Sequence, residues 1–157
     1  MSETSSRRLF IGAGAVAATA AATGIATASP APSAKKVAGL SELKPGQPVS
    51  FTYPQDEAAV LLDLGRRVNG GIGAQGSIVA YSALCQHMGC PVTFEAKRSQ
   101  LVCPCHASVF DPARSGDCIE GPSTRGLPRI TLKIEGDSVF ATGIAGGLVY
   151  GRGCNRA

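Results

Sequence analysis

Between Cys85 and Phe110 the chain reads CQHMGCPVTFEAKRSQLVCPCHASVF, which gathers four of its six cysteines and both of its histidines. No other stretch constrains the fold as tightly, because thiolates and imidazoles are the ligands that borderline and soft metals select. The spacing is Cys85-x-His87, fifteen intervening residues, then Cys103-x-x-His106. Cys90 and Cys105 stand as an extra thiol in each half. Two cysteines and two histidines hold either zinc in a tetrahedron or a 2Fe-2S cluster, with the cysteines on one iron and the histidines on the other. The segment is therefore expected to form two loops around a metal.

The rest of the chain reads as β structure. Its 157 residues have room for one domain. Twenty glycines and ten prolines, with 5% aromatic residues and no Trp, favour short strands over long helices. Strand signals recur at VSFTY (49–53), AVLLDL (59–64) and SIVAYSA (77–83), and Asn69-Gly70-Gly71 with Gly73 marks a loop between the last two. Arg129 to Ile134 alternates polar and apolar residues, Glu135-Gly136-Asp137 can turn, and Ser138 to Thr142 alternates again, which predicts a β-hairpin. No long amphipathic helix and no internal repeat is visible. The expectation is an antiparallel all-β domain over 41–157, with the Cys/His segment, 83–123, inserted between strands. The net charge of +4 is carried in basic runs of no more than two residues without adjacent stacking aromatics. That pattern gives no support to nucleic-acid binding.

The N-terminal stretch is a different kind of sequence. MSETSSRRLFIGAGAVAATAAATGIATA places Arg7 and Arg8 before an uncharged run from Leu9 to Ala28, and Ala26-Thr27-Ala28 has the small-x-small form of a signal-peptidase site. Ser6 to Ile11 resembles a twin-arginine signal, which exports proteins already folded. Residues 1–28 are thus expected to be an export signal, cleaved near Ala28, and the protein to be periplasmic. Membrane contact follows only if the run is retained as an anchor, for which its Ala, Gly and Thr content is poorly suited. Residues 29–40 read as a Pro/Ala linker, extended and mobile. In an exported protein Cys90 and Cys105, for which a mononuclear zinc site has no use, tend to oxidise to a bridge between the two loops.

The two halves, Cys85-Gln86-His87-Met88-Gly89-Cys90 and Cys103-Pro104-Cys105-His106-Ala107-Ser108, resemble the C-x-H-x-G-C and C-P-C-H-x-S signature of Rieske iron-sulfur proteins. The resemblance implies a Rieske-type sandwich with a small cluster-binding subdomain formed by two loops. It implies that Cys85 and Cys103 bind one iron, that His87 and His106 bind the other, and that Cys90 pairs with Cys105. Gly121-Pro122 resembles the family's third loop, which covers the cluster. Ser108 falls where the family places a hydroxyl that bonds a bridging sulfide and raises the potential. Phe110 stands where many quinol-oxidising relatives have a Tyr that donates to a cysteine sulfur, so a lower potential than theirs is expected.

Three further segments, CPCHASVFD, LPRITLKI and GLVYGR, look like the small subunit of bacterial arsenite oxidase. That resemblance implies a molybdopterin-containing large subunit as partner, which oxidises arsenite. A periplasmic cytochrome c or cupredoxin would accept the electrons, with no catalysis by this chain alone. The Rieske subunit of a quinol:cytochrome c oxidoreductase is the alternative within the family, and a structural zinc-binding module the alternative outside it. Cys118 and Cys154 can form a second bridge or remain free thiols. Lys97-Arg98 can steer an acidic partner, and Arg125 and Arg129 can face a large subunit, although solvation is the ordinary fate of such residues.

Overall fold

The computed structural model describes residues 33–147 and 149–150. Residues 1–28, expected to be an export signal, most of the expected linker and Cys154 lie outside the described residues, among which no helix is long and apolar enough to cross a membrane. Ten strands follow in chain order: β1 Lys35–Gly39, β2 Val49–Thr52, β3 Ala58–Asp63, β4 Ile78–Ser82, β5 Thr93–Glu95, β6 Gln100–Val102, β7 Val109–Asp111, β8 Asp117–Glu120, β9 Arg129–Glu135 and β10 Ser138–Ala145. Two short 3-10 turns, Leu40–Glu42 and Pro112–Arg114, are the helical elements among them. The strands form two antiparallel sheets, a six-stranded one ordered β1-β10-β9-β4-β3-β2 and a four-stranded one ordered β5-β6-β7-β8. The architecture is all-β, as expected.

β3 and β4 explain how the two sheets are joined. Both read as continuous apolar runs, which strands do when both faces are covered. Period-2 alternation divides their side chains between two cores. Ala59, Leu61, Ile78 and Ala80 face a base core with Tyr53, Ile130, Val139 and Ala141. Val60, Leu62, Val79 and Tyr81 face the other way, into a core shared with Leu101, Phe110, Cys85 and Cys103. The metal-binding segment is thus seated on the outer face of β3 and β4 by the same residues that build the base.

Residues 29–40 need correction as a linker, because β1 begins at Lys35. It pairs with β10 through Lys35↔Ala141, Lys36↔Phe140, Ala38↔Val139 and Gly39↔Ser138, with a bulge between Lys36 and Ala38. Ala38 enters the base core. Lys35 Nζ crosses to the opposite edge strand and donates to Thr52 O at 2.8 Å and Thr52 Oγ1 at 2.7 Å. The six-stranded sheet is curled enough for one lysine to clip its two edges together.

A second tie holds the cluster-bearing sheet to the base. Tyr81 Oη donates to Pro112 O at 2.8 Å in a buried position. Pro112 opens the 3-10 turn after β7, and that turn is capped by Asp111, whose side chain accepts from the Ala113 N–H at 2.8 Å. Burial pushes the Tyr81 phenol from 10.0 up to about 12, helped by Asp111 and Asp117 and opposed by Arg129. The neutral phenol is therefore favoured by the fold. Its contribution is fully present below pH 10, the unfolded value, and is lost as pH rises toward 12. Alkaline denaturation should show a stability loss of about 2–3 kcal/mol across that window. In Tyr81→Phe the Tyr81 share of this slope is removed, leaving that of Tyr53, which burial also raises, while about 1–2 kcal/mol is lost at neutral pH because the buried Pro112 carbonyl has no donor. Urea titrations at pH 7, 10 and 12 would check both.

Candidate metal centre

The first ligand loop lies between β4 and β5 and is closed by its own backbone. Leu84 bridges Pro91, the Cys85 N–H donates to Cys90 O at 2.9 Å, and the Gly89 N–H donates to Cys85 O at 2.8 Å. The second loop is the connection between β6 and β7, where the Cys103 N–H donates to Ser108 O at 2.8 Å and Ala107 takes a left-handed φ of 56°. Each loop presents an inner cysteine and an outer histidine. Cys85 and Cys103 are each 1% exposed, His87 is half-buried and His106 is exposed. The two imidazoles meet edge to face, with ring centroids 4.8 Å apart and planes at 89°.

Cys90 and Cys105 are joined by a disulfide, so each loop contributes one half of a covalent tie. The sulfurs of Cys90, Cys103 and Cys105 lie within 4.8 Å of one another. With two of the three consumed by the bridge, Cys103 is the only thiol of that trio left to bind a metal, and the bridge packs beside it.

Two features test whether the site fits a metal. His87 Nδ1 is buried without a hydrogen-bond partner among the described residues. A buried imidazole nitrogen in that state costs roughly 1–3 kcal/mol unless a further ligand satisfies it. Cys85 is the second. Burial, with the neighbouring Cys103 thiol, pushes its titration up, while the backbone N–H groups of His87 and Met88 pull it back. The buried Cys85 thiol thus resists ionising unaided, and a metal cation supplies the missing charge. The donor set fits: Cys85, His87, Cys103 and His106 are the side chains that could hold it.

A third loop, after β8, closes over the second. Gly121 has a φ of +89°, and a Cβ there would lie 2.5 Å from Ser108 Cα and 2.8 Å from Ala107 O and Ser108 N. Pro122 follows it in an exposed position. Ser108 is fully buried, and its Oγ accepts from the Ser123 N–H at 3.2 Å. Ser123 in turn donates its hydroxyl to Arg125 O at 2.9 Å. Sequence reasoning missed Ser123, because its bond spans fifteen residues and leaves no local pattern. Phe110, in β7, is fully buried in the core that contains Cys85 and Cys103.

Three sequence candidates are engaged elsewhere. Arg98 faces Glu120 at 3.6 Å in an exposed pair. Such pairs contribute about 0–1 kcal/mol. Arg129 donates to Asn69 O at 3.3 Å and to Gly70 O, which fixes the loop after β3. Cys118 carries a free thiol that donates to Glu120 O at 3.2 Å.

The donor set alone admits zinc or a 2Fe-2S cluster. A model of the Rieske [2Fe-2S] domain matches residues 33–131, and the chain belongs to the Rieske family. Its cofactor is a Rieske-type 2Fe-2S cluster. The iodate reductase subunit IdrB of Denitromonas iodatirespirans is 43% identical over 128 residues, which cover 79% of this chain and 69% of that one. The iodate reductase subunit IdrB of Pseudomonas sp. (strain SCT) is 42% identical over 121 residues, covering 74% and 62%. The match thus spans about two thirds of these curated relatives. The soluble domain of Rieske protein II (SoxF) from Sulfolobus acidocaldarius superimposes with a TM-score of 0.64 over 71% of this chain and 78% of that one. At 24% identity that likeness establishes the fold alone.

Proposed function

We propose that this chain is the electron-transfer subunit of an exported oxidoreductase complex whose large subunit carries a molybdenum pterin centre. The observation that carries the reading is the meeting of the His87 and His106 rings on two bridged loops that also bury Cys85 and Cys103, in a chain 43% identical to an iodate reductase subunit. Cys85 and Cys103 would hold one iron from the buried side, and His87 and His106 the other from the surface side. When bound, such a cluster supplies a one-electron couple between roughly −150 and +300 mV. Exposed His106 gives a redox partner an edge to approach, while buried Cys85 and Cys103 keep the thiolates from water. Turnover of substrate belongs to the large subunit.

Two substrates have separate support. CPCHASVFD, LPRITLKI and GLVYGR resemble the arsenite oxidase small subunit, in which electrons leave toward a cytochrome c or cupredoxin. Identity to IdrB supports iodate, whose reduction would draw electrons in the opposite direction. Export rests on the Ser6 to Ile11 pattern and is supported by the Cys90–Cys105 bridge, since disulfides persist in oxidising compartments.

Ser108 has a tuning role in this reading. The Ser123 N–H occupies an acceptor position of its hydroxyl, which leaves the proton to donate toward the cluster. Phe110 lacks a donor. Phe110→Tyr should raise the midpoint by about 40–60 mV, the one-electron equivalent of roughly 1–1.4 kcal/mol from one added bond to a ligand sulfur. Redox titration of the two proteins checks this, and an unchanged midpoint would count against it.

The deciding experiment is low-temperature EPR of the full chain, exported with its own partner and reduced with dithionite. A rhombic signal from a spin shared between unequal irons supports the ligand set. In the co-purified complex, reduction by arsenite would assign that substrate, and oxidation of the prereduced sample by iodate the other. Stoichiometric zinc with no signal would overturn the electron-transfer reading.

A further inference from the structure

Gly89 turns the first ligand loop, with φ +77° and its N–H on Cys85 O. Its outer side is covered by the ring of Tyr150. A Cβ on Gly89 would overlap Tyr150 Cε1 and lie 2.5 Å from Cδ1 and 3.3 Å from Cζ. The loop has no side chain of its own at that point, and the aromatic ring takes the place of one.

Tyr150 comes from far along the chain. β10 ends at Ala145, paired with Arg129 of β9 in the base sheet. Gly146 and Gly147, with φ of 82° and 127°, then turn the backbone away from that sheet. Val149, 2% exposed, anchors the returning segment, and Tyr150 is left 39% exposed, with most of its surface covered. Gly89 sits between Met88, whose N–H faces the Cys85 sulfur, and Cys90, one half of the bridge. The ring therefore bears on the residue that links the ligand turn to the disulfide.

We propose that Tyr150 is a positioning residue for the metal centre: the C-terminal segment clamps the Cys85–Cys90 loop from outside through ring contact with Gly89, and shields Cys90 from water. An aromatic ring suits this because it delivers a large, flat apolar area with few rotamers to immobilise. The contact uses the ring and not the hydroxyl. For its redox readout the proposal rests on the ligand set proposed above, whereas its disulfide readout is independent of that set.

The test compares the full exported chain with Tyr150→Phe, Tyr150→Leu and Tyr150→Ala. Two quantities are read: the rate at which dithiothreitol reduces the Cys90–Cys105 bond, followed by alkylation and mass spectrometry, and the cluster midpoint. In Tyr150→Ala the bridge should be reduced about tenfold faster, which corresponds to about 1.4 kcal/mol less local opening energy. Its midpoint should rise, because water reaching the loop favours the reduced cluster, which carries one more negative charge. Tyr150→Phe should match the wild type in both. Tyr150→Leu should fall between and serves in place of the alanine variant if that one fails to accumulate. Bridge reduction and midpoint both at wild-type values in the alanine or leucine variant would overturn the proposal, even with a lowered Tm, since a mere prop would move only the Tm. A wild-type protein without the rhombic signal would bring down the ligand set, and the clamp would still be judged on bridge reduction.

Discussion

Replacing Cys90 and Cys105 together by serine is expected to lower the unfolding free energy by about 3 kcal/mol, the loop-closure value for a bridge of this span. The two cysteines are fifteen residues apart in sequence. The loss should extend to the cofactor. Each ligand loop closes its own turn, through the Cys85–Cys90 and Cys103–Ser108 backbone bonds, but the disulfide is the covalent link that sets one loop against the other. Without it the 4.8 Å spacing of the His87 and His106 rings relies on packing alone, and iron content should fall to a small fraction of the wild-type value. Cys90 is half-buried and Cys105 exposed, so the serine hydroxyls can be solvated and the effect is not one of stranded polar groups. Urea denaturation and iron quantification measure the two losses. Cys118→Ser, which removes a thiol whose hydrogen bond among the described residues goes to the Glu120 carbonyl, is the control and should retain its iron. Full iron content in the double variant would mean that the fold holds the loops apart from their bridge.

What could be read from the sequence follows from how far each interaction reaches along the chain. The Cys90–Cys105 bridge is legible through the family resemblance, because metal chemistry restricts residue type and spacing at once in the segment that carries it. β3, β4 and the β9–β10 hairpin are legible because five to eight residues are enough for a run or an alternation to register. β5, β6 and β7 have three residues each, too few for any period, and their strand character comes from pairing such as Phe94↔Leu101 and Leu101↔Phe110. β1 was hidden for a related reason: KKVAG has no strand pattern of its own and is defined by β10 on one side and the Lys35–Thr52 clip on the other. Tyr81 carries no sign in the sequence that its hydroxyl spans 31 residues to Pro112. The resemblance placed Gly121 over the cluster. Why a glycine is needed there became clear only from its distance to Ser108.

Gly121→Ala should therefore be a strongly damaging change for the addition of a single methyl group. The new Cβ would meet backbone atoms only, Ser108 Cα at 2.5 Å and Ala107 O and Ser108 N at 2.8 Å, none of which can rotate aside. The φ of +89° adds a strain that alanine cannot relieve in place. Together these predict a loss of about 2–4 kcal/mol. The loop has one escape, which is to lift off the second ligand loop, and that movement breaks the bond from the Ser123 N–H to Ser108 Oγ. Gly136→Ala isolates the backbone term. Gly136 also has positive φ, +57°, in the β9–β10 turn, but nothing lies within 4 Å of its added Cβ, so it should cost only about 1 kcal/mol. The two variants should separate in a second way. In Gly136→Ala the midpoint stays at the wild-type value, whereas any Gly121→Ala protein that retains iron should have a lower one, because the Ser108 hydroxyl is no longer held in place. Equal stability losses in the two variants would show that the third loop yields without cost and that its approach to Ser108 is not what holds it down.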